Sequence, residues 1–227
     1  MKTILGSIVV CLALCILGGC GDAKPSDDEG VSAANGSSLN SNGTSKGSMI
    51  SSNPAAVVFK DQVESNVPEP PAEMGDLVFT DKNGQKIAIK DYKGKQNIVL
   101  VFTEGYNGTL CPFCQTQTSR LIANYDEFKK LDTEIIVVYP GKRDHVDDFI
   151  ESALKTEKHQ VDQVPFPIVL DEDFVATDFF NIHSMHAHPS TFLIDKNGSV
   201  QLAYVGQDMT ADRPSIKAIL EKIKRVN

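Results

Sequence analysis

The chain has 227 residues, a formal net charge of −8, 41% hydrophobic residues, no Trp and five Cys. That length suits one medium domain with appendages, and the hydrophobic share is enough to build a core, so the chain as a whole is not disordered. The acidic balance excludes the basic surface of a nucleic-acid binder.

The chain opens with Lys2, an uncharged and mostly apolar run from Thr3 to Leu17, and then Gly18-Gly19-Cys20. A basic start, an apolar stretch and small residues at its end are the layout of a secretory signal. Leu17-Gly18-Gly19-Cys20 resembles the bacterial lipobox. That resemblance implies a lipoprotein signal peptide over 1–19, a lipid on Cys20, and an extracytoplasmic chain anchored to the membrane on the periplasmic side or the cell surface. A transmembrane anchor is the alternative, since Thr3 to Gly21 is uncharged and approaches the ~20 residues of a span. Residues 20–56 read as a tether. Ser, Gly and Asn supply 18 of the 35 residues from Gly21 to Ala55, too polar a stretch to offset chain entropy. Its reach as a flexible chain is roughly 30–35 Å.

The ordered domain is expected over 57–227. Leu77-Val78-Phe79 and Lys86-Ile87-Ala88-Ile89 flank Asp81-Lys82-Asn83-Gly84 and predict a hairpin with an Asn-Gly turn. Asn97 to Thr103 is a continuous apolar run, as for a strand buried on both faces. From Pro112 to Leu131 the spacing of Cys114, Thr118, Leu121, Tyr125 and Phe128 predicts one helix. A second buried strand follows at Glu134 to Tyr139, then an acidic helix from Asp144 to Lys158. A third strand spans Phe166 to Leu170, with a short helix around Phe174 to Phe180. Thr191 to Ile194 and Val200 to Val205 form a second hairpin on another Asp-Lys-Asn-Gly turn. A last helix presents Ile216, Ile219, Leu220 and Ile223. This order predicts an α/β domain with a mixed central sheet and helices on both faces.

Cys11 and Cys15 fall in the signal, which leaves Cys111 and Cys114 as the mature thiols. Cys111-Pro112-Phe113-Cys114 stands where the long buried strand gives way to the first helix. The unpaired N–H groups and dipole of a helix start favour an anion, so a thiolate there has a lowered pKa. Pro112 suits the first helical position. The spacing predicts a redox pair in which Cys111 attacks a substrate disulfide and Cys114, one turn in, resolves the mixed intermediate. A structural disulfide across so short a loop would stabilise little, and a zinc site would want a second Cys or His pair.

Three stretches carry a family resemblance: Cys111 to Cys114 after the buried strand, the hairpin Ile87 to Gly94 ahead of it, and His188-Pro189-Ser190-Thr191-Phe192-Leu193-Ile194-Asp195 near the end. From about Pro68 to Lys224 the chain resembles the thioredoxin-fold redoxins, which include TlpA/ResA-like thiol-disulfide oxidoreductases and AhpC/TSA peroxiredoxins. The resemblance implies a thioredoxin-like fold and a redox-active Cys111–Cys114 disulfide with no other cofactor. By the match, Pro189 is the family's cis-proline, shaping the groove where a substrate strand pairs. Implied partners are protein or small-molecule thiols and disulfides, a membrane or periplasmic electron donor, and no nucleic acid.

The alternative branch is a thiol peroxidase with Cys111 as its peroxidatic thiol. The nine positions from Phe102 to Cys111 are similar to the peroxiredoxin loop. Peroxiredoxins, however, carry Pro-x-x-x-Thr-x-x-Cys, where this chain has Glu104 and Gly108, with Thr109 one residue late. They also place an Arg ahead of the late strand, where His188-Pro189 stands here. Without those groups the departing oxygen is poorly stabilised. Arg120 reads as a solvent-facing or salt-bridging residue, not a replacement. Supporting roles at the site fall to Pro112, Phe113, Thr109, Glu104 and His188.

His183, His186 and His188, with Met185 among them, fill the loop before Pro189. Together with the thiols they could hold a soft ion such as Cu(I), which resembles the Sco copper-handling proteins, although those use Cys-x-x-x-Cys. The plainer alternative is a polar substrate-binding loop with no metal, in which His188 tunes Cys111 by its charge. His145 and His159 read as ordinary surface residues.

Overall fold

The computed structural model describes residues 59–67, 71, 74, 76–156, 161–207 and 212–227. The expected signal peptide, lipid site at Cys20 and tether over 20–56 all fall on residues outside the described ones. Among the described residues no helix is long and apolar enough to cross a membrane.

The two apolar runs form the centre of the sheet. Strand β3 (Asn97–Phe102) and strand β4 (Thr133–Pro140) are buried at every position and pair in parallel from Asn97↔Thr133 to Phe102↔Val138. Their side chains alternate between two cores, as the period of a strand requires. Val99, Val101, Ile135, Val137 and Tyr139 enter one core; Ile98, Leu100, Phe102, Ile136 and Val138 enter the other. The first hairpin, β1 (Val78–Asp81) and β2 (Lys86–Ala88), is antiparallel. It turns at Gly84 with φ +86°, while the Asp81 carboxylate accepts from the N–H of Asn83 and Gln85. With β5 (Ile168–Asp171), β6 (Ser190–Ile194) and β7 (Val200–Val205), the sheet has seven strands in the order β2-β1-β5-β4-β3-β6-β7. Strand β6 runs antiparallel to β3, and Phe102 faces Ser190. The last residue of β3 and the first of β6 therefore meet at one end of the sheet.

Helices α1 (Pro112–Ala123), α3 (Val146–Thr156) and α5 (Ile216–Val226) pack Leu121, Ile122, Phe149, Ala153, Ala218, Ile219 and Ile223 onto the first core. The opposite core is covered by α4 (Val175–Phe179) and by Ile89 on a 3₁₀ turn. There Phe102, Phe180 and Phe192 form an aromatic cluster with ring centroids 5.0, 6.0 and 4.4 Å apart, Phe102 meeting the other two edge-on. The mixed α/β sheet with helices on both faces is as expected.

The single helix predicted over 112–131 is instead two. Asn124, at φ −115° and ψ 11°, ends α1 and separates it from α2 (Tyr125–Lys129). Its amide Nδ2 donates to the Arg120 carbonyl at 2.8 Å, a side-chain bond that competes with helix continuation.

The residues ahead of the hairpin form a strap. Lys60 exchanges backbone bonds with Arg213 and Ser215, both 2.8 Å. Asn66 donates its N–H to Ala203 and brackets Val205 with its side-chain amide. Val63 is buried in the helix-covered core.

Candidate active site

Cys111 is the N-cap of α1 and Pro112 starts the helix. Pro112 costs no hydrogen bond there because the first N–H of a helix has no partner within it. Cys114 follows inside the first turn. Both thiols are free and both are buried, Cys111 at 8% exposure and Cys114 at 1%. Between β3 and α1 the chain makes a tight loop closed by a bridge between Tyr106 and Leu110. Gly105 pins it. At φ +81° it lies so close to β4 that a Cβ would stand 2.4 Å from the Pro140 carbonyl oxygen. That placement turns the Glu104 N–H onto Cys114 Sγ at 3.4 Å.

The third component is Arg213, on the segment leading into α5. It is 1% exposed, and its Nη2 donates to Cys114 Sγ at 3.3 Å and to Cys111 Sγ at 3.6 Å. The guanidinium also lies over the Phe113 ring, 5.9 Å from its centroid, so Phe113 supports the cation as well as separating the thiols.

Burial alone would keep both thiols protonated. For Cys114 it is outweighed by the hydrogen bond from Cys111, the charge of Arg213 and the Glu104 N–H, which together lower the pKa to about 6. Cys111 moves the opposite way: it keeps the shared proton, and burial and the charge on Cys114 hold its pKa far up. The amide of Glu104 and the nearer approach of Arg213 favour the anion on the Cys114 side of the pair. Arg213 is buried yet held more firmly charged by the two sulfurs and by Glu104. Tyr139, at the end of β4, is pushed up to about 12 by burial and by the charge of Cys114.

The other predicted site residues are distributed around this centre. Pro189 is buried immediately ahead of β6, its carbonyl accepting from Gly206 N–H at 2.9 Å. It stands at the sheet end where β3 releases the loop to Cys111. His188 is half-buried with Nδ1 enclosed and without a hydrogen-bond partner. Glu104 acts through its backbone N–H and through its charge on Arg213. Thr109 is exposed at the loop tip.

His183 is bonded through Nδ1 to Asp178 at 2.6 Å and stacked on Phe174, and His186 lies in the same exposed turn. Among the described residues no group of three or more His, Cys, Asp or Glu side chains is placed to hold a metal ion. His145 stacks on Tyr106 with centroids 3.7 Å apart, bracing the loop ahead of Cys111. Arg120 lies over the ring of Phe59. Arg213 had no signature in the sequence: Asp212-Arg213-Pro214-Ser215 reads only as a helix start.

A thioredoxin-like sheet with a dithiol at the mouth of its first helix defines a redoxin-class oxidoreductase. The AhpC/TSA family model matches residues 70–203, and the chain belongs to that family. It is 33% identical over 150 residues to the thiol-disulfide oxidoreductase ResA of Geobacillus kaustophilus, covering 66% of this chain and 75% of that protein. It is 31% identical over 131 residues to ResA of Bacillus subtilis, covering 57% and 64%. Solved structures of similar fold include a mitochondrial 2-Cys peroxiredoxin from Plasmodium falciparum (TM-score 0.56, 18% identity, 70% of this chain and 94% of that one). Peroxiredoxin Q of Xanthomonas campestris is another (TM-score 0.52, 23% identity, 70% and 97%). At such identities the likeness is one of fold.

Proposed function

We propose that the protein is a membrane-anchored, extracytoplasmic thiol-disulfide oxidoreductase working through the Cys111–Cys114 dithiol. The observation that carries the reading is the buried guanidinium of Arg213 within hydrogen-bonding reach of both sulfurs. The identity to ResA proteins supports the same chemistry, and the lipobox-like Leu17 to Cys20 supports the anchor.

The reduced centre holds one proton and one negative charge. Cys111, the more exposed thiol, attacks one sulfur of a substrate disulfide and passes its proton to the Cys114 thiolate. The new Cys111–substrate S–S bond forms as the old one breaks, and the other substrate sulfur departs as a thiolate. Cys114 then gives its proton to that departing sulfur and attacks Cys111 Sγ, expelling the second substrate sulfur. Two electrons have moved from the protein dithiol to the substrate, and the protein is left as the disulfide. Run backwards, the same steps oxidise a substrate dithiol. Pro189 borders the groove in which the substrate strand lies.

The test is exchange with a model protein disulfide. Cys111→Ser should abolish turnover, and Cys114→Ser should accumulate a mixed disulfide at Cys111. Accumulation at Cys114 instead would overturn the assignment of roles. A peroxidase is the second reading, favoured by one observation: Arg213 supplies the cation next to the thiols that could stabilise a departing hydroxide. Rapid peroxide consumption lost in Cys111→Ser, with negligible disulfide exchange, would establish that reading over the first.

A further inference from the structure

Arg213 reaches the sulfurs from an irregular segment, and the strap holds that segment. Lys60 grips it with its backbone and with its side chain. Its N–H donates to the Arg213 carbonyl and its carbonyl accepts from Ser215 N–H, both at 2.8 Å. Its ammonium forms an ion pair with the Asp212 carboxylate and donates to the Tyr204 hydroxyl at 2.8 Å. Tyr204 in turn donates to Asp212 at 2.5 Å, and Gln207 N–H donates to its other oxygen at 2.7 Å. Asp212 is therefore fixed from three directions, one residue away from the guanidinium.

We propose that Lys60 is a positioning residue of the redox centre: the docked strap holds the Asp212–Arg213 step in the register that presents Arg213 to both sulfurs. The proposal rests on the thiolate chemistry above and adds its regulation by a distant segment. An ion pair from a lysine side chain 53% exposed contributes little stability by itself. Its effect is geometric. Slippage of the segment by one residue, about 3.3 Å of extended chain, would carry Nη2 beyond reach of Cys111 and Cys114. The groups facing the sulfurs are then Glu104 from the loop after β3, Tyr139 from β4 and the N-terminus of α1, none of them a cation to replace Arg213.

The experiment follows thiolate absorbance against pH in the full-length reduced protein, in Lys60→Met, Arg213→Gln and the double variant. Lys60→Met should raise the ionisation midpoint by about one unit and slow alkylation at pH 6 several-fold, with Arg213→Gln shifting it further. In the double variant the midpoint should equal that of Arg213→Gln alone, because residues acting in series do not add. A parent-like midpoint in Lys60→Met beside a shifted Arg213→Gln would overturn the proposal, as would additive shifts. An unshifted Arg213→Gln would instead sink the thiolate reading. If Lys60→Met fails to fold, Tyr204→Phe removes one bond to Asp212 and carries the same test: a raised midpoint supports the positioning role and a parent-like one refutes it.

Discussion

At the mouth of α1 two sulfurs share one proton and one negative charge under a guanidinium and an amide. Their folding linkage follows. Below pH 6 folded and unfolded chains both keep two protons on the thiols. Between about 6 for Cys114 and ~8.5 for an unfolded thiol, the folded state binds one proton fewer. Stability therefore rises with pH, by about 1.4 kcal/mol per unit. Above ~8.5 the unfolded chain releases both protons while Cys111 retains its own, so the sign reverses. Urea unfolding of the reduced protein, compared with Cys111→Ser/Cys114→Ser, should show a difference that grows by roughly 3 kcal/mol to a maximum near pH 8.5. A difference independent of pH would refute the shared proton. The thiols were legible because spacing and a following helix pattern mark them. Arg213 was not, since its partner Cys114 lies 99 residues away in the chain and only tertiary packing brings the two together.

The loop between β3 and α1 shows what an element contributes that no single side chain can. Its path over β4 depends on Gly105, whose positive φ and contact with Pro140 admit no Cβ. Gly105→Ala should destabilise the protein by about 1–3 kcal/mol from backbone strain alone. It should also raise the thiol midpoint, because the Glu104 N–H would leave Cys114. Unfolding and thiolate titration of the one variant check both; loss of stability with an unmoved midpoint would separate the loop from the chemistry. The helices were mostly legible from their apolar spacing, which runs unbroken from Cys114 to Phe128. The break at Asn124 was not, because a periodic stripe on two consecutive helices looks like one, and the interruption is made by a side-chain amide bonding back to Arg120.

At the scale of the whole molecule, the sheet divides stability from chemistry. The centre with Cys111, Cys114 and Tyr139 belongs to the core under α1, α3 and α5. The Phe102–Phe180–Phe192 cluster fills the other core. Phe180→Ala should cost about 3–5 kcal/mol in urea unfolding and leave the thiol midpoint where it was. A shifted midpoint would mean that the two faces are coupled. The class of the sheet was legible from the alternation of strands and helices, but the place of β5 between β1 and β4 was not, because strand order depends on contacts between distant segments. The strap also transmits force. Tension applied along the chain ahead of Phe59 is passed to Lys60, whose bonds run to Arg213 and Ser215 and to Tyr204 on β7. A pull on Lys60 therefore reaches the segment that holds the guanidinium over the thiols.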